Sequence, residues 1–154
     1  MSRSKTEQFE EIYEKYSDML YRIALTHLLS KEDAEDAVHD VFVKYINSTP
    51  IFFGEEHEKA WFVRVTVNQC HDAARKRKIR THSPIEDAAE VAEEMGAGDV
   101  TAAVLALEDI YKTPILLHYY EGYSVEECAR MLRISVSAVK MRLARAREKL
   151  KIDL

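Results

Sequence analysis

The sequence predicts an all-α fold: two small helical domains joined by a flexible acidic linker, with a helix-turn-helix at the carboxyl end. Three observations predict it. Apolar residues recur at spacings of three and four through most of the 154-residue chain. Ser30 with Asp33, and Ser124 with Glu127, have the capping-box form, in which a side chain and the backbone satisfy each other's donors at a helix start. Residues 81–99, THSPIEDAAEVAEEMGAGD, hold Pro84, Gly96, Gly98 and six acids with no Lys or Arg, the composition of a linker. The domains so bounded are 1–80 and 100–154.

Each element follows from its own pattern. Over 6–29, Phe9, Ile12, Tyr13, Tyr16, Leu20, Ile23 and His27 share one helical face, and Glu7, Glu10 and Glu11 sit where the helix dipole favours negative charge. After Ser30 a second helix carries the wide stripe Ala34, Ala37, Val38, Val41, Phe42 and Tyr45, opposite an acidic face of Glu32, Asp33, Glu35, Asp36 and Asp40. Asn47–Pro50 ends it, and 51–54 form a loop exposing Phe52 and Phe53. From Glu55 to Ile79 neither Gly nor Pro appears. Val63, Val65 and Val67 alternate as in a strand, but the length and charged flanks favour one long helix. Asp99 caps a helix expected to run to about Tyr111, and Thr113–Pro114 has the grammar of a cap and first turn, with Gly122 as the stop.

The stretch 124–151 organises the second half. Val125, Ala129 and Leu132 form a short helix, Ile134–Ser135 interrupts the pattern, and Val139, Leu143, Ala146 and Leu150 stripe the helix that follows. Its outer faces carry Lys140, Arg142, Arg145, Arg147, Lys149 and Lys151 against Glu148 alone. A short helix, a tight turn and a basic second helix describe a helix-turn-helix, whose second helix enters the major groove.

The net charge of −5 looks wrong for a nucleic-acid binder until it is divided. Residues 64–80 and 137–151 each hold six cations against one acid, which leaves −15 on the rest of the chain. Two basic patches on an acidic body predict two nucleic-acid contacts beside an acidic face for a protein partner. Cys70 and Cys128 are far apart and imply no disulfide framework. With no eighteen-residue apolar run and no apolar amino-terminal segment, a membrane span and a signal peptide are not expected, and the cytoplasm is.

No dinucleotide loop, phosphate-cradling loop, HExxH or nucleophile elbow is present, so no enzymatic activity and no cofactor are expected. His57, Cys70 and His71 lack the fourth ligand and the spacing of a structural zinc site, so no metal is expected either. Residues 60–80 interleave Trp61 and Phe62 with Arg64, Asn68, His71 and a basic tail including Arg75 and Lys76. Aromatics stack on unpaired bases, cations track phosphates and Asn can read a base edge. The competing reading makes both aromatics ordinary core and the basic run a helix end.

AWFVRVTVNQCHDAARKRK at 60–78, DAEDAVHDVFVKY at 33–45 and YYEGYSVEECARMLRISVSAVKMRLARAREKL at 119–150 resemble, in order, three segments of bacterial RNA polymerase sigma factors of the extracytoplasmic-function (ECF) group. The resemblance implies a domain that binds core polymerase and the −10 promoter element, and a second that reads the −35 element. Carried over by position, Asp36, His39, Asp40 and Phe42 would dock on the clamp of the largest polymerase subunit. Trp61, Arg64, Asn68, His71, Arg75 and Lys76 would face the −10 DNA, where flipped bases are captured. Ser137, Lys140, Met141 and Arg145 would enter the −35 groove, with Arg142 and Arg147 on phosphates. Ser137 and Met141 cannot make the bidentate guanine contact of Arg, so −35 reading is expected to rest on shape and phosphates. The resemblance also implies contact with the polymerase flap region and an inhibitory anti-sigma factor. The alternatives are a stand-alone helix-turn-helix regulator of duplex DNA, which leaves 33–45 and 60–80 idle, and a helical adaptor that binds only proteins.

Overall fold

Ser4, Ser30, Ser124 and Ser135 each cap a helix, their hydroxyls accepting from the backbone N–H three residues on. In this computed structural model the described residues are 4–76, 84–94 and 99–151, and among them there is no strand. The helices are α1 (Lys5–Leu28), α2 (Lys31–Ser48), α3 (Glu55–Lys76), α4 (Pro84–Glu94), α5 (Asp99–Leu105), α6 (Asp109–Ile115), α7 (Val125–Leu132) and α8 (Val136–Leu150). At α7 the capping box is complete, Glu127 accepting in return from the Ser124 N–H at 3.0 Å. The helical choice for 55–76 over the alternating valines holds, because Val63 and Val67 both turn inward one helical turn apart.

The first core lies where α1, α2 and α3 cross. Tyr16, Leu20, Phe42 and Phe62 are buried there, with Tyr16 and Phe62 stacked at 4.5 Å and Phe42 against Phe9 and Tyr13. The second core is shared between the halves. Ile23, Val63 and Val67 meet Leu105, Ile115, Leu117, Met131, Val139 and Leu143 in one apolar cluster.

Two expectations need correction. The flexible linker is a helix across 84–94: Ala88, Val91 and Ala92 are buried in the shared core, and the acids Glu86, Glu90, Glu93 and Glu94 point outward. Second, the 99–122 region divides differently. The first helix stops at Leu105, Glu108 starts the next, and Pro114 lies inside it. Proline has no N–H to donate and crowds the carbonyl four residues back. Beyond it, residues Leu116–Tyr120 form a π-helical turn, with Glu121 N–H bonding Leu116 O. Gly122, at φ +80°, supplies the left-handed exit that the sequence reading assigned to it.

Candidate nucleic-acid and protein interfaces

The α8 surface is built from the apolar stripe outward. Val139, Leu143 and Ala146 are buried, which turns Ser137, Lys140, Met141 and Arg145 to solvent. Arg142 and Arg147 are half-buried, and the Arg147 guanidinium donates to Tyr119 Oη at 3.3 Å. Met141 is 51 % exposed, an apolar residue held out among cations. The four residues assigned to the groove are thus exposed, and the two assigned to phosphates are half-buried beside them.

Along α3, Asn68, Arg75 and Lys76 are exposed, while Trp61, Arg64 and His71 are half-buried. Arg75 pairs with Asp72 on the preceding turn. Asn68, His71, Asp72 and Arg75 line an open depression whose far side is Asp109 of α6, and His71 Nε2 lies 3.5 Å from the Asp109 carboxylate. Arg64, Asn68 and His71 also border a pocket of about 130 Å³, closed by Ile110, Thr113, Leu132 and Arg142. Burial and the positive charge of Arg133 hold the Arg64 guanidinium below its ordinary value.

The competing reading of the aromatics proves right for one and half-right for the other. Phe62 is core, at 0 % exposure. Trp61 is half-buried, wedged edge-on against Phe62, Phe52 and Tyr45. Phe53 is the most exposed aromatic among the described residues, at 89 %, with one face stacked on His57 at 5.7 Å. His57 Nδ1 accepts from the Phe53 N–H at 3.1 Å, which fixes the loop. Of the two rings this loop was expected to expose, Phe53 is exposed but Phe52 is half-buried against Trp61 and Phe62, and the sequence gave no sign that His57 backs Phe53.

The acidic face of α2 presents Asp36, His39 and Asp40 to solvent. Gln69 of α3 donates to Asp40 at 3.1 Å and accepts from Lys44 at 2.9 Å, so the carboxylate is oriented from behind. Phe42, assigned to this docking face, is only 4 % exposed and is packed in the aromatic core. Its physical role is to support the face. Its ring still reaches a groove beside the acidic face, which it lines together with Phe9, Tyr13, His39, Val43 and Ile46. The exposed Tyr13, Val43 and Ile46 escaped the sequence reading because single exposed apolar residues are common on any helix.

Both cysteines are buried, and burial pushes the Cys70 thiol up to about 12 and Cys128 to about 11. Neither is a nucleophile at neutral pH. Among the described residues no three His, Cys, Asp or Glu side chains converge as metal ligands, and no helix is long and apolar enough to cross a membrane.

Residues 12–80 match the Sigma-70 region 2 family, and residues 97–150 match Sigma-70, region 4. The chain is 30 % identical over 138 residues to the RNA polymerase sigma factor SigV of Bacillus subtilis, covering 87 % of this chain and 83 % of that one. It is 29 % identical over 146 residues to the ECF RNA polymerase sigma factor SigM of Mycobacterium tuberculosis, covering 92 % and 74 %. This chain belongs to the ECF sigma factors. Its fold matches CnrH in the complex with the cytosolic domain of CnrY, with a TM-score of 0.72 at 26 % identity over 96 % of this sigma factor and 88 % of that chain. The sequence resemblance therefore named the right family, and the all-α fold is the family's fold.

Proposed function

We propose that this sigma factor lends core RNA polymerase its promoter choice through three separate surfaces, with catalysis left to the polymerase, and that it works in the cytoplasm. The 1–80 half is the unit for polymerase and the −10 element, and the 100–154 half is the −35 unit, with the 81–99 segment between them. Asp36, His39 and Asp40, with the neighbouring apolar groove, would take the clamp of the largest subunit. Trp61, Arg64, Asn68, His71, Arg75 and Lys76, extended by the Phe53–His57 stack, would hold the opened −10 strand. Ser137, Lys140, Met141, Arg142, Arg145 and Arg147 would track the −35 duplex, and the same half would meet the flap region. Opening a base pair costs a few kcal/mol, which ring stacking at about 1–3 kcal/mol per base and phosphate contacts offset.

The observation that supports this most is the coexistence of two cationic helices with an oriented carboxylate face on a third. A stand-alone regulator needs only α8. Two solved matches are complexes, CnrH with the cytosolic domain of CnrY and the sigma factor RpoE with the anti-sigma factor NepR, which supports an anti-sigma partner here as well. Affinity capture of core polymerase followed by run-off transcription tests the reading. The expected result is a stable holoenzyme that initiates at new sites; tight duplex binding without holoenzyme would favour the regulator.

A further inference from the structure

We propose that Met141 is a base-reading residue of the −35 surface, and that the base it selects is thymine, recognised by its 5-methyl group. This rests on the −35 reading of α8.

Burial fixes which way α8 faces. With Val139, Leu143 and Ala146 sunk in the shared core, Ser137, Met141 and Arg145 follow one another at intervals of four along the outward ridge. Lys140 stands exposed beside Met141. Ser135 caps the helix, so Met141 falls in its second turn. In a helix-turn-helix, the amino-terminal residues of the second helix are the ones that meet base edges. Met141 therefore occupies the part of the ridge from which a side chain reads sequence.

Its exposure sets it apart. Val125, Met131 and Leu132 on α7, and Val136, Val139, Leu143 and Leu150 on α8, are all buried or half-buried. Met141 alone among the large apolar side chains of these two helices is exposed, at 51 %, and it belongs to neither core cluster. A single exposed apolar residue is ordinary on a helix. One at the centre of the ridge that faces the groove, flanked by Lys140 and Arg145, is placed where DNA would cover it.

Chemistry selects the base. A thioether has no hydrogen to donate, so it cannot bond the N7 and O6 acceptors of guanine or the N7 of adenine, and its sulfur is a weak acceptor for the amino groups of adenine and cytosine. The apolar group that a major-groove edge does present is the thymine methyl. An unbranched, polarisable side chain adapts its shape to such a contact. Lys140 and Arg145 draw the helix onto the duplex through phosphates, which carry no sequence information, whereas the contact of Met141 with the methyl forms only where thymine stands. The shape-and-phosphate reading expected of this helix thus gains one direct base contact.

The test removes that methyl and nothing else. Holoenzyme assembled from core polymerase and the full chain selects from long random-sequence duplexes. The probes are the enriched duplexes, remade with deoxyuridine for thymidine one position at a time; uracil pairs as thymine does and lacks only the methyl. Binding is read by competition against the unmodified duplex. At one thymidine of the upstream block the parent is expected to lose roughly fourfold in affinity, the value of one buried methyl group, and Met141→Ser less than about twofold. Met141→Leu, which restores an apolar contact, should keep the dependence. An enriched upstream block without thymidine, or deoxyuridine tolerated throughout it by the parent, would overturn the proposal. An equal loss in the parent and in Met141→Ser would overturn it too. A parent that enriches no upstream block, or whose enrichment is indifferent to Lys140→Ala with Arg145→Ala, would overturn the −35 reading itself and the proposal with it.

Discussion

Acid should loosen this chain through one ring. His27 is buried at the junction of α1 and α6, and burial, reinforced by the positive charge of Lys112, lowers its pKa to about 4; Asp109 and His71 are the other titrating groups that act on it. Its ring is neutral in the fold and takes up a proton once exposed. The stabilisation it gives is therefore complete above about pH 6.5 and is lost as the pH falls towards 4. With those two values, linkage gives a loss of about 2 kcal/mol between about pH 7.5 and pH 5, and about 3 kcal/mol well below pH 4. Glu55 and Glu127 have carboxyls held below their ordinary range, by Lys15 and by the Ser124 N–H respectively, so their contributions disappear only at lower pH. Urea titrations at pH 7.5 and 5 of the parent and of His27→Gln isolate the effect. The parent should lose about 2 kcal/mol and the variant less than half of that. An equal loss in both would refute the assignment of acid sensitivity to this ring.

Other outcomes follow from the same contacts. Phe42→Ala should cost about 3–5 kcal/mol of stability in thermal or denaturant unfolding, as for any large buried ring. Asp40→Ala should leave stability within about 0.5 kcal/mol yet weaken capture of core polymerase, since the carboxylate is exposed. If α8 places about four to five cations on phosphates, DNA affinity should fall with salt at a log–log slope near −4, measured by fluorescence anisotropy; a flat response would contradict it. Asn68→Ala should impair open-complex formation, followed by permanganate footprinting, more than polymerase binding; equal loss of both would remove Asn68 from the −10 face.

Local pattern carried most of the fold, because capping serines and apolar stripes act within a few residues of themselves. It failed where the deciding partner is distant in sequence. Residues 84–94 read as linker because acids and flanking glycines dominate their composition, although Ala88, Val91 and Ala92 keep helical spacing. Their burial needs apolar surface contributed from both halves of the chain. Pro114 looked like a helix start, since its first-turn preference is visible locally and the widened turn after it is not. At the sites, exposed charges on α2 and α8 were legible from the helical wheel. Phe42 was legible as part of the apolar stripe, but periodicity alone does not show that its ring is almost wholly buried while still lining the groove beside the acidic face. The burial of Lys112 had no sequence signature: a lysine one position before Thr113–Pro114 reads as surface until its ammonium is seen to donate to the carbonyls of Thr26 and His27 at the end of α1.

The central claim is that this chain redirects polymerase. Transcription of fragmented genomic DNA by core enzyme with and without the purified chain, with every RNA 5′ end sequenced, tests it most directly. New start sites sharing a −10 and a −35 sequence, and lost when Lys140 and Arg145 are both changed to Ala, are the expected result. Identical 5′ ends in the two reactions would contradict it.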